Sequence, residues 1–198
     1  MLPTLLPLVE GQSEVVGLPV LLRRLLSHLG HPHVLVAKPF RVHRTRILQG
    51  GEIERAVLQG LRTRLQVTGI VVVLDADDDD PWALEAAVRA ECAKATALPV
   101  VVAAATRELE AWFLGAKESL RGVHAIRANA TSPPNPEAIR GAKERLTSNM
   151  EGTRRYLEVD DQPAFADKVD LTMALEHCPS LQRLAQGLQS MLASGGVP

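Results

Sequence analysis

Apolar residues fall into two textures along this chain: short unbroken runs, and longer stretches in which they recur every three or four positions. The runs predict buried strands at residues 5–9, 33–37, 69–74 and 99–104. The periodic stretches predict helices at 14–29, 52–65 and 81–95, followed by a short helix at 107–114. In the first helix Val15, Leu18, Leu22, Leu25 and Leu26 share one face, and Gly30 ends it. The run at 69–74 is almost wholly Val and Ile, which a strand covered on both faces requires. Strands separated by helix-length segments imply right-handed parallel crossovers, hence an α/β fold with a mostly parallel sheet of about four strands flanked by helices. Pro3 and Pro7 lie in or beside the first strand and cannot donate to a ladder. Being four apart, they leave both missing donors facing the same neighbour.

Past Gly115 the texture changes. The segment TSPPNPEAIRG, residues 131–141, reads as a proline-rich loop leading into a helix, and 164–174 and 181–192 as two more helices. Leu181, Leu184, Leu188, Met191 and Leu192 share a face that suits core packing. The expected organisation is an α/β core over residues 1–125, with 126–198 supplying a loop and C-terminal helices that pack on it as one domain.

Composition narrows the function classes. Hydrophobic residues make up 46% and charged residues 23% of the 198, and aromatics only 3%, so aliphatic packing must build the core. A formal net charge of −1 gives no global attraction for a polyanion, so such a partner must be met locally. Cys92 and Cys178 fit neither a disulfide framework nor a zinc site, which points to a reducing cytoplasm. No apolar stretch approaches the roughly 20 residues needed to span a bilayer, and the apolar start lacks the positive region of a signal peptide.

In open parallel sheets, ligands sit beyond the carboxyl ends of the strands. Here those ends are acidic. The first strand runs into Glu10-Gly11 and a helix opened by Ser13-Glu14, the third into Asp75-Ala76-Asp77, and the fourth into Arg107-Glu108-Leu109-Glu110. Gathering these carboxylates on one edge costs free energy through mutual repulsion, and a divalent cation removes that cost. Mg²⁺ or Mn²⁺, which prefer oxygen ligands, are the expected cofactors, with Glu10, Asp75 and Asp77 as ligands. Asp75 and Asp77, two apart in extended chain, are expected to point the same way, and Gly11 to let backbone approach a phosphate or ion.

The run VVVLDADDDDPW therefore divides by job. Asp80 before Pro81 is a helix cap followed by proline at the first helical position. Asp78 and Asp79 lie near the positive end of that helix and face solvent. Ser13 is the expected cap of the first helix, whose N-terminus also favours Glu14. Glu108 and Glu110, if helical, diverge by about 200° and cannot share a site, so one is expected to be an ion-pair partner.

With EGQSE after a first strand and DAD after a third, the chain resembles the toprim domain, the catalytic fold of topoisomerases, DnaG-type primases and overcoming-lysogenization-defect nucleases. The EGxSE form and RELEAWFL, residues 107–114, are most similar to small stand-alone toprim-like proteins of unknown function, a group often linked to defence systems with an ATPase partner. The likeness covers roughly residues 4–114. It implies a toprim-like, Rossmann-like sheet and a divalent-metal-dependent endonuclease. In the nuclease branch a second glutamate, a glutamate on the helix after the next strand and a downstream lysine join the metal carboxylates. By position these resemble Glu14, Glu110 and Lys168. Tyr156, the only tyrosine, lies outside the motif region, which favours hydrolysis over strand passage.

For DNA or RNA the chain offers KPFRVHRTRIL, residues 38–48, in which Lys38, Arg41, Arg44 and Arg46 follow one another without an intervening acid. The expectation is thus a cytoplasmic nuclease acting on nucleic acid, alone or as a homodimer. The alternative is a non-catalytic toprim-like partner subunit of an ATPase complex.

Overall fold

The computed structural model describes residues 2–43, 51–64 and 66–194. Extended runs form β1 (Thr4–Val9), β2 (Leu35–Val36), β3 (Phe40–Arg41), β4 (Gly69–Asp75) and β5 (Val100–Ala105). Between them lie the helices α1 (Glu14–His28), α2 (Glu52–Arg62) and α3 (Pro81–Ala95). All strand pairs are parallel, in the order β2–β1–β4–β5, with β3 also on β1. The architecture is the expected α/β one, with five strands instead of four because the second strand is divided.

That division has a cause in the sequence. Pro7 lies inside the central strand β1 and has no N–H. Alternate β1 carbonyls face the β2–β3 side, where Pro3, Leu5 and Val9 accept from the N–H groups of Leu35, Ala37 and Val42 at 2.8, 2.9 and 2.7 Å. Pro7 shares their parity, so its missing donor falls where the neighbour breaks. Thr4 pairs with Leu35 and Leu8 with Phe40, so β1 advances four residues while its neighbour advances five. One extra residue is accommodated as a bulge. Arg64 closes it, with Nε donating to the Lys38 carbonyl at 2.7 Å, Nη2 to that of Pro39 at 3.1 Å, and the guanidinium over the Phe40 ring.

The sheet is buried on both faces. Leu5, Val9, Val71, Val73, Val101 and Ala103 pack with α1, whereas Leu6, Leu8, Ile70, Val72, Leu74 and Val102 pack with α2 and α3. The C-terminal helices are α4 (Ala111–Leu114), α5 (Ala142–Ser148), α6 (Glu158–Lys168), α7 (Leu171–His177) and α8 (Pro179–Ser194). They join the α1-side core through Trp112, Phe113, Phe165, Leu181, Leu184 and Leu188.

Two helix expectations shift. The stretch 164–174 is not one helix: α6 starts earlier, and a break at Val169–Asp170 is followed by α7, which Asp170 caps at Met173 N–H over 3.0 Å. The helix expected from 107 begins only at Ala111, because Arg107 adopts φ +68°. Cys92 and Cys178 are buried and unpaired. Among the described residues no helix is long and apolar enough to cross a membrane.

Candidate functional site

The strand order reverses between β1 and β4. From β1 the chain steps outward to β2, whereas from β4 it steps the other way to β5. The crevice beyond this switch point is where open α/β sheets take ligands. Glu10 and Asp75 end its two strands. The Asp75 N–H donates to Glu10 Oε1 at 3.3 Å, and Asp75 Oδ1 accepts the Leu109 N–H at 2.7 Å, so one carboxylate from each strand end ties down the next loop.

Glu14 turns back towards the same crevice. Its Oε2 accepts the N–H groups of Glu10 and Gly11, each at 3.1 Å, and so ties down the loop before α1, while Ser13 makes no side-chain cap bond. Ser13 Oγ instead meets Glu158 Oε2 at 3.3 Å. Gly11 is needed for this fold-back: a Cβ there would lie 2.7 Å from Glu14 Oε1. The glycine thus makes room for a carboxylate of its own chain, where backbone access for a ligand was expected.

Glu110, at the start of α4, is 1% exposed. Its Oε1 accepts from Tyr156 Oη at 3.0 Å and from Gln162 Nε2 at 3.4 Å. Lys143 of α5 completes the group, with Nζ 2.9 Å from Glu158 Oε1.

The electrostatics follow from crowding. Burial raises the pKa of Glu14 to about 7, helped by the charges of Glu10 and Glu110 against the pull of two backbone N–H groups. Asp75 is raised well above the usual range by burial, then by Glu110, Glu14 and Glu10. Burial also raises Glu110, opposed by Lys143 and the Tyr156 hydroxyl. For Lys143 burial pulls downward, but Glu110, the Glu158 contact and Asp75 outweigh it and hold the ammonium charged. Burial and mutual repulsion thus favour the protonated forms of Glu14, Asp75 and Glu110.

The remaining expected residues are distributed differently. Asp77 leaves the strand at φ +50° and is exposed, so it does not repeat the direction of Asp75 as extended chain would. It lines a neighbouring cleft with Asp78, Arg107, Glu108 and Arg140. Asp78, expected to face solvent, is exposed but holds Arg107 and Arg140. Asp80 caps α3, accepting the Ala83 N–H at 2.8 Å. Glu108, one of the two acids of which one was expected to be an ion-pair partner, is instead a helix cap, its oxygens taking the N–H groups of Ala142 and Lys143 at 3.1 and 3.4 Å.

Lys168 is exposed and paired with Asp167 at 2.8 Å. It lies at the far end of α6 from Glu158, about 15 Å along the axis at 1.5 Å per residue. The lysine beside the carboxylates is Lys143, which no local sequence pattern marks. Arg41 donates from Nε to the Glu10 carbonyl at 2.9 Å and from Nη1 to Gln12 Oε1 at 3.3 Å, fastening the β1–α1 loop. Lys38 is exposed in the bulge. Arg44 and Arg46 lie outside the described residues.

A family's sequence model matches residues 9–189, from the end of β1 through most of α8. The chain belongs to the family described as Domain of unknown function (DUF4276). No match was found among curated proteins or among solved structures. All five groups of the crevice, Glu10, Glu14, Asp75, Glu110 and Lys143, fall within the DUF4276 span.

Among the described residues of this DUF4276 chain, no three His, Cys, Asp or Glu side chains already surround a common point suited to a metal ion. In donor chemistry the crevice nevertheless suits a hard divalent cation, since every anionic donor is a carboxylate oxygen. Glu14 takes its backbone bonds on Oε2 and Glu110 its side-chain bonds on Oε1.

Proposed function

We propose that this protein is a toprim-like, divalent-metal-dependent nuclease that hydrolyses phosphodiesters of DNA or RNA in the cytoplasm, within a defence system that includes an ATPase. The observation that carries this reading is the convergence of Glu10, Glu14, Asp75 and Glu110, from three strand ends, on the switch-point crevice.

Glu10 and Asp75 are the groups that would hold the ion, with Asp77 the nearest further carboxylate in sequence. A bound Mg²⁺ or Mn²⁺ supplies an activated water and charge stabilisation at the leaving oxygen. Glu14, with its pKa near 7, is suited to take or give a proton at neutral pH. Lys143 keeps a positive charge beside Glu110 and Asp75 and is suited to face a phosphate oxygen. Arg41, paired with Val9 at the end of β1, braces the loop that carries Glu10 and adds a cation there.

The test is incubation of purified protein with DNA and RNA plus Mg²⁺ or Mn²⁺, alongside Glu10→Ala and Asp75→Ala. Metal-dependent cleavage that both variants lose is expected. Absence of cleavage, or variants that cleave as well as the parent, overturns the reading. Cleavage that appears only with an added ATPase assigns the chain to a larger machine.

A further inference from the structure

Beside the carboxylate crevice, a cleft of about 240 Å³ is lined by Asp77, Asp78, Arg107, Glu108, Arg140 and Gly141. Two guanidiniums from separate loops meet there on one carboxylate. Arg107 Nη1 donates to Asp78 Oδ1 at 2.8 Å, Arg140 Nη1 donates to Oδ2 at 3.1 Å, and Arg140 Nη2 contacts Oδ1 as well. Glu108 is occupied by the N–H groups at the start of α5, whereas Asp78 holds both arginines.

Stability does not account for this arrangement. The Asp78 and Arg140 side chains are 65% and 69% exposed, and ion pairs so exposed add little. The backbone beneath is nonetheless held in a sparsely populated conformation, Asp77 at φ +50° and Arg107 at φ +68°, with the Asp77 N–H bonded to the Arg107 carbonyl at 3.0 Å. The Asp77–Arg107 backbone bond ties together the loops that carry Asp78 and Arg107, and Arg140 reaches Asp78 from the segment before α5. Two oxygens of one anion receiving several guanidinium N–H groups is also how arginine pairs hold the non-bridging oxygens of a phosphodiester.

We propose that Arg107 and Arg140 form a clamp for a substrate phosphodiester flanking the one at the carboxylates, and that Asp78 occupies the clamp as an internal surrogate until the substrate displaces it. The position of the scissile group rests on the nuclease reading; the affinity of the clamp for a phosphodiester does not. Arg107 and Arg140 lose one anion and gain another, so Asp78 acts as a competitive brake on nucleic-acid binding.

Fluorescence anisotropy with a labelled single-stranded DNA oligonucleotide in EDTA tests the clamp without cleavage. Asp78→Ala is expected to tighten binding about fivefold, and Arg140→Ala to weaken it by a similar factor, as loss of one exposed charge contact does. Arg140→Ala should also lower the slope of log affinity against log salt by about one. The gain from Asp78→Ala should vanish once Arg107→Ala and Arg140→Ala are both present. Unchanged or weaker binding by Asp78→Ala, or a gain that survives removal of both arginines, overturns the proposal. The expected pattern in a protein that never cleaves with Mn²⁺ would uphold the clamp and remove the nuclease reading.

Discussion

The Asp75 backbone N–H donates to Glu10 Oε1 at 3.3 Å, joining the ends of two adjacent parallel strands through a carboxylate. Asp75 passes the connection on through its own Oδ1 to the Leu109 N–H. The β1–α1, β4–α3 and β5–α4 loops are thus strung together by acids, and their negative charge is concentrated where the sheet opens.

Protonation should stabilise the metal-free fold. The Glu14 pKa rises from 4.5 to about 7 on folding, so the folded state holds a proton that the unfolded chain has released in that window. Its stabilising contribution is complete below about 4.5 and is lost as pH climbs to about 7. Thermal unfolding in EDTA between those limits should show a fall with pH that is shallower in Glu14→Gln. Above pH 7 the variant should be the more stable by about 1–3 kcal/mol. Equal slopes would mean that Glu14 is not the group titrating.

The two lysines should separate cleanly. Lys143→Met is expected to lower metal-dependent cleavage by about a hundredfold, the scale of one lost electrostatic contact to a developing charge. Lys168→Met should leave it unchanged, because Lys168 is exposed beside Asp167 at the far end of α6. Kinetics of both variants under saturating Mn²⁺ check this, and the reverse order would restore Lys168 to the site.

Arg64→Ala should loosen the bulge opposite Pro7. Two carbonyls, of Lys38 and Pro39, lose their guanidinium partner. A cost of about 1 kcal/mol is expected for bonds this open to solvent. Hydrogen exchange should report faster opening of the Val42 N–H, which bonds to Val9. If that amide keeps its protection, the bulge is held by Pro7 alone.

How far the sequence reached depended on whether a feature was local. Asp80 capping a helix that starts at Pro81 was legible because both groups lie within one turn. Glu10 and Asp75 were legible because parallel strands deliver their ends to one edge. Only the direction of Asp77 differs from expectation, since two-residue alternation holds only while the chain stays extended and the turn begins at Ala76. Lys143 left no local trace: Glu108 grips the amides that begin α5 and carries the lysine to the crevice. The start of α6 was hidden by Pro163. Asp161 reaches back to the Leu157 N–H at 2.6 Å, bonding an amide ahead of α6 as Glu14 does ahead of α1. The missing donor of Pro7 was visible, but its consequence, a neighbour strand cut in two, needed the register.

Far from the crevice, Arg183→Ala should cost about 2–4 kcal/mol. Arg183 Nε bonds the buried Glu85 carboxylate at 3.2 Å, and its Nη2 bonds the Ala104 carbonyl at 3.1 Å on the outer side of β5. Removing it leaves Glu85 buried without its cation. Urea denaturation of Arg183→Ala and Arg183→Ala/Glu85→Gln should show the second change recovering part of the loss, and no recovery would locate the damage in the Ala104 contact.

The central claim is that the crevice exchanges protons for a divalent cation, and calorimetric titration with Mn²⁺ in buffers of different ionisation enthalpy tests it most directly. At pH 6, where Glu14 with a pKa of about 7 is mostly protonated, binding should release about one proton or more, and the release should fall as pH rises through about 7. Asp75→Asn should weaken binding at least about tenfold, the scale of a lost metal carboxylate or its support. No Mn²⁺ binding by the parent protein, or binding that Asp75→Asn leaves intact, would contradict the account.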